Sequence, residues 1–121
     1  MPLPPSPDSY ADTAADSSEP RVLADGETVL VPTFNCGLFV TRNLTSGNPT
    51  LHHVYDLGYR TCEVPVVVGH FLVEAAQSGH AVVSLDVSDP EHPHEVSRIL
   101  LPPDKYPHWL ALEPGGDRLA M

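Results

Sequence analysis

The feature of this chain that most constrains its fold is a spacing of 43 to 44 residues between segments of similar sequence. Val29–Val31 aligns with Leu72–Glu74 at an offset of 43 residues, and Asn48-Pro49 aligns with His92-Pro93 at an offset of 44. Self-similarity at one fixed period is typical of proteins built from a repeated supersecondary unit. The spacing therefore predicts a repeat architecture within the 121 residues of the chain.

Short strands separated by turn residues occupy each period. Apolar and β-branched runs bounded by Gly, Pro, Asn and Asp predict strands at 28–33, 38–43, 51–57, 64–68, 71–76, 81–87, 95–101 and 109–112. No segment has the periodicity of a helix. Units of about 40–50 residues with four strands each are typical of β-propeller blades. We therefore predict an all-β fold, a β-propeller fragment of about two four-stranded blades plus the start of a third, with a small two-sheet sandwich as the alternative.

The predicted division of the chain follows from composition and period. Residues 1–20 contain five prolines among Ser, Asp and Ala, which predicts a disordered leader because such a segment cannot bury enough apolar surface. Residues 21–121 form the predicted partial β-propeller. Repeat one runs from about 26 to 68 and repeat two from about 69 to 112. A third repeat is truncated, so we expect its partners to be the remaining blades of the same propeller or other protein chains.

Charge and hydropathy exclude two classes of partner. The net charge is −10, and the six Lys and Arg residues are scattered singly. Nucleic-acid binding is not expected, because it relies on clustered cations that neutralise phosphates. No apolar run reaches the roughly 18 residues of a transmembrane helix, which predicts no membrane span. The N-terminus lacks the features of a signal peptide, so a periplasmic or extracellular location is expected only if one lies upstream.

The alternation of apolar residues predicts which strand faces are buried. Ala81, Val83, Leu85 and Val87 share one face of their strand, and Val82 lies on the other. Apolar groups on both faces are expected for a sheet that lies between two others. Replacing Leu85 with Asp should therefore be strongly destabilising. A turn residue such as Glu91 should be dispensable.

Four residues are candidates for chemistry because propeller topology brings their loops to one face. Cys36 lies in a turn between second and third strands, and Cys62 precedes an inner strand; His80 and His108 are expected at the matching places of the next repeat. Three interpretations stay open. The cysteines form a disulfide, or all four residues bind a soft metal such as copper or zinc, or the cysteines are free and the histidines are ordinary loop residues.

Two stretches resemble known repeat families. Val83–Pro90, with Pro93 and Val96, resembles the LVIVD-type propeller repeat, which pairs a V-x-D-V-S-D-P-x-x-P segment with a strand leading into the next blade. The resemblance covers one repeat well and a second weakly, since Arg42–Ser46 departs from the pattern. Many proteins with such repeats are exported, and most have no assigned function.

A looser resemblance concerns Pro107–Gly116, which looks like a segment of the selenium-binding protein and methanethiol oxidase group of propellers. That resemblance implies a copper-binding histidine, and only His108 can be matched to one. No nucleophile elbow, phosphate-binding glycine loop or zinc-protease motif occurs. The sequence is therefore compatible with two candidate functions. The first is a non-catalytic propeller segment acting as a binding or scaffold module, and the alternative is part of a metal-dependent oxidase acting on a small sulfur compound.

Overall fold

The computed structural model describes residues 17–115 and 118–121, and these residues are almost entirely strands and turns. A single 3-10 turn, Gln77–Gly79, interrupts them. The strands are β1 (Arg21–Val22), β2 (Val29–Pro32), β3 (Gly37–Arg42), β4 (Thr50–Asp56), β5 (Val66–Val68), β6 (Phe71–Ala76), β7 (Ala81–Asp86), β8 (His94–Leu100), β9 (Ala111–Leu112) and β10 (Leu119–Ala120).

The strands form two four-stranded antiparallel sheets and a two-stranded ribbon. Sheet one has the order β1-β2-β3-β4, sheet two has the order β5-β6-β7-β8, and β9 pairs with β10. The predicted all-β class is confirmed. Every predicted strand overlaps an observed one, whereas the two-residue β1 was not predicted. Because β5 belongs to sheet two, the boundary between the sheets falls before residue 66 and not at residue 69.

The first turn shows how short polar side chains end these strands. The Asp25 carboxylate accepts hydrogen bonds from the backbone N–H groups of Glu27 and Thr28 and from the Thr28 hydroxyl. These bonds, that from the Thr28 hydroxyl first, lower the pKa of Asp25 to about 2. Asp86 accepts from Ser88 in the same manner after β7. Such local bonds compete with strand pairing and fix the direction in which the chain turns.

The two sheets pack face to face around one apolar core. Leu30, Leu38 and Val40 of sheet one contact the face of sheet two that carries Leu72 and Leu85, and all five are fully buried. The predicted face of β7 is confirmed. Its members in this core are Ala81, Val83 and Leu85, with Val87 just after the strand. Burial of side chains from both sheets stabilises the pair, since each buried Leu or Val contributes about 1.5–3 kcal/mol.

Sheet two is apolar on its other face as well. Val73, Ala75 and Val82 form a second cluster with Leu110, which precedes β9. An isolated bridge joins Val64 to Trp109 in parallel, so the chain entering sheet two runs beside the chain entering the ribbon. Sheet two therefore lies between sheet one and the beginning of a third layer, as the apolar groups on both faces predicted.

An acidic side chain lies within the core between the sheets. Glu74 is centrally placed in β6, and only 1% of it is exposed. Neither of its carboxyl oxygens has a hydrogen-bond partner among the described residues. Burial raises its pKa to about 8, against a smaller opposing effect of Arg21 in β1. Arg21 reaches across to sheet two, where its Nη2 donates to the Pro65 carbonyl oxygen at 2.8 Å.

An ionic contact joins β3 and β4 of sheet one to the loop before β8 of sheet two. Arg42 of β3 donates through Nε to Glu91, which precedes β8, at 2.5 Å. The other oxygen of Glu91 contacts Nε2 of His52 in β4. The hydrogen bond with His52, followed by that with Arg42, lowers the pKa of Glu91. The contacts with two residues of the neighbouring sheet argue against the expectation that Glu91 is dispensable.

We expect Glu91→Ala to lower the free energy of unfolding by about 1 kcal/mol, since the pair is half-buried and links two sheets. The loss should shrink in 1 M salt, where charges are screened within about 3 Å. Urea melts at low and high salt would measure it. Glu113→Ala, which removes a more exposed carboxylate with a 4.0 Å contact to Arg118, is the matched control. A loss that salt leaves unchanged would contradict the ionic origin.

The predicted disordered leader, 1–20, falls mostly outside the described residues, which begin at Ser17. Ser17 forms an antiparallel bridge with Thr33, and the Ser18 N–H donates to the Pro32 carbonyl oxygen at 2.9 Å. These bonds continue the pairing of β1 along β2. The sequence predicted that the folded part begins at Arg21, whereas strand-like pairing already begins at Ser17. In the described part, no helix is long and apolar enough to cross a membrane.

Candidate functional site

Four loop segments meet at one end of the two sheets, and we call this surface the loop face. It consists of the β2–β3 turn (33–36), the connection between the sheets (57–65), the β6–β7 turn (77–80) and the connection into the ribbon (101–110). The Cys62 N–H donates to the Phe34 carbonyl oxygen at 2.9 Å, and the Ser78 N–H donates to that of Thr61 at 3.2 Å. The connection between the sheets is therefore hydrogen-bonded to the β2–β3 turn and to the β6–β7 turn.

The same hydrogen bond recurs in both repeats at an interval of 44 residues. The Leu57 N–H donates to the Cys36 carbonyl oxygen at 3.0 Å, and the Leu101 N–H donates to that of His80 at 2.7 Å. Cys36 and His80 also share a left-handed backbone conformation, with φ of 67° and 51°. Few non-glycine residues adopt this conformation, and it recurs here because each turn must reverse the chain between two strands. The period seen in the sequence thus marks equivalent positions of the loop face.

The two cysteines on the loop face are joined to each other. Cys36 and Cys62 form a disulfide with a Cα–Cα distance of 5.0 Å, and both are fully buried. A thiolate is the form in which cysteine binds a metal, and neither sulfur is available as one in this bond. Among residues 17–115 and 118–121, no group of three or more His, Cys, Asp or Glu side chains could hold a metal ion.

His80 of the predicted metal pair contacts the following connection. Its Nδ1 lies 2.9 Å from the Lys105 carbonyl oxygen, and its ring lies 4.5 Å from that of Tyr106 between centroids. Tyr106 follows Cys62 by 44 residues, just as His80 follows Cys36. In the second repeat, the contacting rings of His80 and Tyr106 therefore occupy the positions that the disulfide occupies in the first. His108 was expected to be the counterpart of Cys62. The residue 44 positions after Cys62 is instead Tyr106, two positions before His108.

His108 lies beside the parallel bridge that joins the entry to sheet two with the entry to the ribbon. Its carbonyl oxygen accepts from the Val64 N–H at 3.0 Å, while its Nε2 lies 3.7 Å from the Glu63 carboxylate. The side chain of His108 is exposed, as are those of Tyr106 and Trp109. The structure does not bring His108 and His80 into a common ligand set. The loop face instead presents three ring-bearing side chains to solvent, which can stack on a ligand and hydrogen-bond to it.

Tyr59, in the connection between the sheets, packs against the β6–β7 turn. The Tyr59 ring covers Gly79 so closely that a Cβ at this position would overlap it. The guanidinium of Arg98, in β8, lies 5.3 Å from the centre of the same ring and donates a hydrogen bond to its hydroxyl. Ser78 completes the contact, because its hydroxyl oxygen accepts from the Thr61 N–H at 2.9 Å. The connection between the sheets is therefore held at several points.

We expect Gly79→Ala to destabilise the protein by about 1–3 kcal/mol, because the added methyl group must displace the Tyr59 ring. Thermal melts would measure the loss. In the double variant with Tyr59→Ala, the space is free, and the cost of the alanine at position 79 should disappear. An equal cost in both backgrounds would mean that the ring does not lie against Gly79.

We expect loss of the disulfide, by reduction or in the Cys36→Ser, Cys62→Ser variant, to lower the free energy of unfolding by about 3–4 kcal/mol. The bond closes a chain segment with a sequence separation of 26 residues, and closing a loop of that size restricts the unfolded chain by this amount. Urea melts with and without dithiothreitol would measure it. The double serine variant should not respond to the reductant. Identical midpoints for the wild-type protein in both conditions would contradict the bond.

Sequence reasoning missed two residues of the loop face, Tyr59 and Tyr106. Tyr106 could have been found, since the period of 44 residues places it opposite Cys62. Nothing in the sequence marks Tyr59, because its contact with Gly79 depends on how the connection crosses the neighbouring turn. Searched against protein-family models, curated proteins and solved structures, the chain matches none of them.

Proposed function

We propose that the chain is a segment of a β-propeller, two blades and the inner strands of a third, and that it acts as a non-catalytic binding or scaffold module. The observation that carries the proposal is the repetition, at 44 residues, of a four-stranded antiparallel sheet packed face to face on the next. The recurring bond of Leu57 to Cys36 and of Leu101 to His80 supports the equivalence of the two sheets. Face-to-face four-stranded sheets in sequence are the arrangement of propeller blades.

A propeller also requires the first strands of successive blades to run side by side around an axis. The parallel bridge of Val64 with Trp109 supports this, as does the 2.8 Å bond from Arg21 to the Pro65 carbonyl oxygen. The test is a cysteine pair, Val64→Cys with Trp109→Cys. We expect it to form a second disulfide, seen as a loss of free thiols by mass spectrometry, without disturbing the first.

The control for that test is Val64→Cys with Leu44→Cys, which joins the bridge to the β3–β4 turn, where Leu44 is exposed. This pair should stay reduced. Efficient bridging of the control, or none in the Val64–Trp109 pair, would favour the sandwich over the propeller.

The binding role rests on the exposed rings of the loop face. Tyr106 is 61% exposed and Trp109 is 57% exposed, on a connection that backbone hydrogen bonds to His80 and Val64 hold in place. Rigidly held aromatic side chains recognise a partner at low entropic cost. Loops on a repeat scaffold commonly carry such sites. The disulfide also fits an oxidising compartment, such as a periplasm or an extracellular space.

The binding role is tested by cross-linking in extracts of the source cells. We expect partners retained by the wild-type protein to be lost with Tyr106→Ser, Trp109→Ser. They should be kept by Leu44→Ser, which removes an apolar side chain 46% exposed elsewhere. Equal retention by all three proteins would remove the loop face as the binding surface.

The oxidase alternative requires a metal, and copper loading tests it separately. We expect no copper to be retained after dialysis, because the cysteines are bonded to each other and His80 contacts Lys105 and Tyr106. Stoichiometric copper that is lost in the His80→Ala, His108→Ala variant would reverse this conclusion and favour the enzyme.

A further inference from the structure

An apolar cleft of about 290 Å³ lies between sheet two and the ribbon. Val73, from the second sheet's outward face, lines it together with Phe71, Val96 and, from the ribbon, Leu112 and Leu119. Ile99, which pairs with Val82, lies farther out on that face of sheet two and is 62% exposed. Ser84, Ser97 and Arg118 add polar groups to the lining of the cleft. An exposed apolar surface next to a cleft can mark a docking site.

The repeat shows what covers the equivalent surface of sheet one. Leu38 and Val40 are the counterparts, 44 residues earlier, of Val82 and Ser84. Tyr55 is likewise the counterpart of Ile99. In sheet one these positions lie in the buried interface or against it.

The residues that cover sheet one come largely from one hairpin. They are Ala81, Val83 and Leu85, on one face of β7, and Val87 just beyond that strand. Glu91, in the loop before β8, adds the contact to Arg42 and His52. The covering unit is thus the β7–β8 hairpin, in which β7 carries an apolar side chain at every second position while β8 is exposed along its length.

The free edge of the ribbon supplies the backbone partner. In sheets one and two the second strand pairs along its length with a third, through four residue pairs for β2 with β3 and six for β6 with β7. β10 is the second strand of the ribbon, and among the described residues it pairs only with β9. Among the described residues, the other edge of β10 has no strand partner, and the cleft lies beside the ribbon.

We infer that this cleft is a strand-docking site whose occupant is a β-hairpin of the repeat's own type, its first strand added antiparallel to β10 and its apolar side chains set against Val82, Ser84 and Ile99. The inference rests on the proposed repeat equivalence of the two sheets. Backbone hydrogen bonds to β10 provide affinity, as in other cases of strand addition, and alternate side chains provide specificity.

The test uses a fluorescein-labelled synthetic peptide of residues 81–100, the hairpin that covers sheet one. We expect saturable one-to-one binding by fluorescence anisotropy, with slower amide hydrogen exchange at Leu119 and Ala120. Ile99→Asp should weaken binding about tenfold or more, which corresponds to about 1.4 kcal/mol, because the hairpin would bury an unpaired carboxylate. Leu44→Asp, an equivalent change far from the cleft, should bind like the wild-type protein.

Three outcomes would overturn the inference. The first is no binding by a protein whose circular dichroism and melting curve show it to be folded. The second is equal binding by Ile99→Asp. The third is a dimer of the chain that Ile99→Asp dissociates and that excludes the peptide, since a second copy would then be the occupant. The disulfide test at positions 64 and 109 is a separate measurement. Loss of peptide binding with that disulfide formed would refute only the docking site, whereas failure to form the disulfide would refute the propeller.

Discussion

The stability of this protein is expected to fall between about pH 5 and pH 8, and Glu74→Gln is expected to remove most of that fall. Glu74 is buried between the sheets, and its pKa is raised to about 8 by burial, with Arg21 opposing. Between its ordinary value of 4.5 and 8, the folded protein holds a proton that the unfolded chain has released. Stability therefore declines as pH rises through this range.

The size of the effect follows from the difference between the two pKa values. One pKa unit corresponds to 1.36 kcal/mol, so the contribution lost by pH 8 is about 5 kcal/mol. Above pH 8 the folded protein must hold an ionised carboxylate without a hydrogen-bond partner among the described residues. Glutamine has nearly the same shape as glutamic acid and does not titrate, so Glu74→Gln should be the more stable protein at pH 8.

Urea melts at several pH values would measure this dependence for the wild-type protein and for Glu74→Gln. The control is Glu113→Gln, which changes an exposed carboxylate and should leave the wild-type pH dependence in place. If the free energy of unfolding changed with pH in the same way for the wild-type protein and Glu74→Gln, the Glu74 carboxyl would ionise at an ordinary pH. The sheets would then not enclose it.

Leu85→Asp is expected to cost about 4 kcal/mol or more and to leave little folded protein. Leu85 is fully buried in the core between the sheets. The substitution removes the apolar contacts of a leucine, which alone costs about 2–5 kcal/mol when it is replaced by alanine. It also places a carboxylate where no partner can reach it.

The matched control is Leu100→Asp in the neighbouring strand, because that leucine is 70% exposed. It should change the free energy of unfolding by no more than about 0.5 kcal/mol. Circular dichroism and urea melts would separate the two variants. Equal midpoints would mean that the two sheets do not pack through this face of β7.

Local sequence patterns predicted the strands well because they depend on neighbouring residues. The alternation in residues 81–87 identified which side of β7 is buried. Gly, Pro and Asp located the turns, since these residues adopt or stabilise turn backbones. β1 was missed because a strand of two residues has no period to detect.

The period also predicted which loops meet, although not what their side chains do there. Cys36 and Cys62 were expected on one face, and the structure joins them. His108 was paired with the wrong counterpart, because the alignment of the repeats was two residues out at that point. Tyr106 is the counterpart instead, and its ring contacts that of His80. Among the described residues, no three candidate donors meet at one point, and residue types alone could not have predicted where those donors lie relative to each other.

The all-β class, the spacing of about 44 residues and the apolar faces could be predicted from the sequence, because each depends on spacing along the chain. Three features needed the folded structure: Glu74 lies in a core without a hydrogen-bond partner among the described residues, Glu91 binds the neighbouring sheet, and an apolar cleft lies beside the ribbon. Each of these depends on which surface of one sheet meets another. Such contacts join residues distant in the chain, and no local pattern records them.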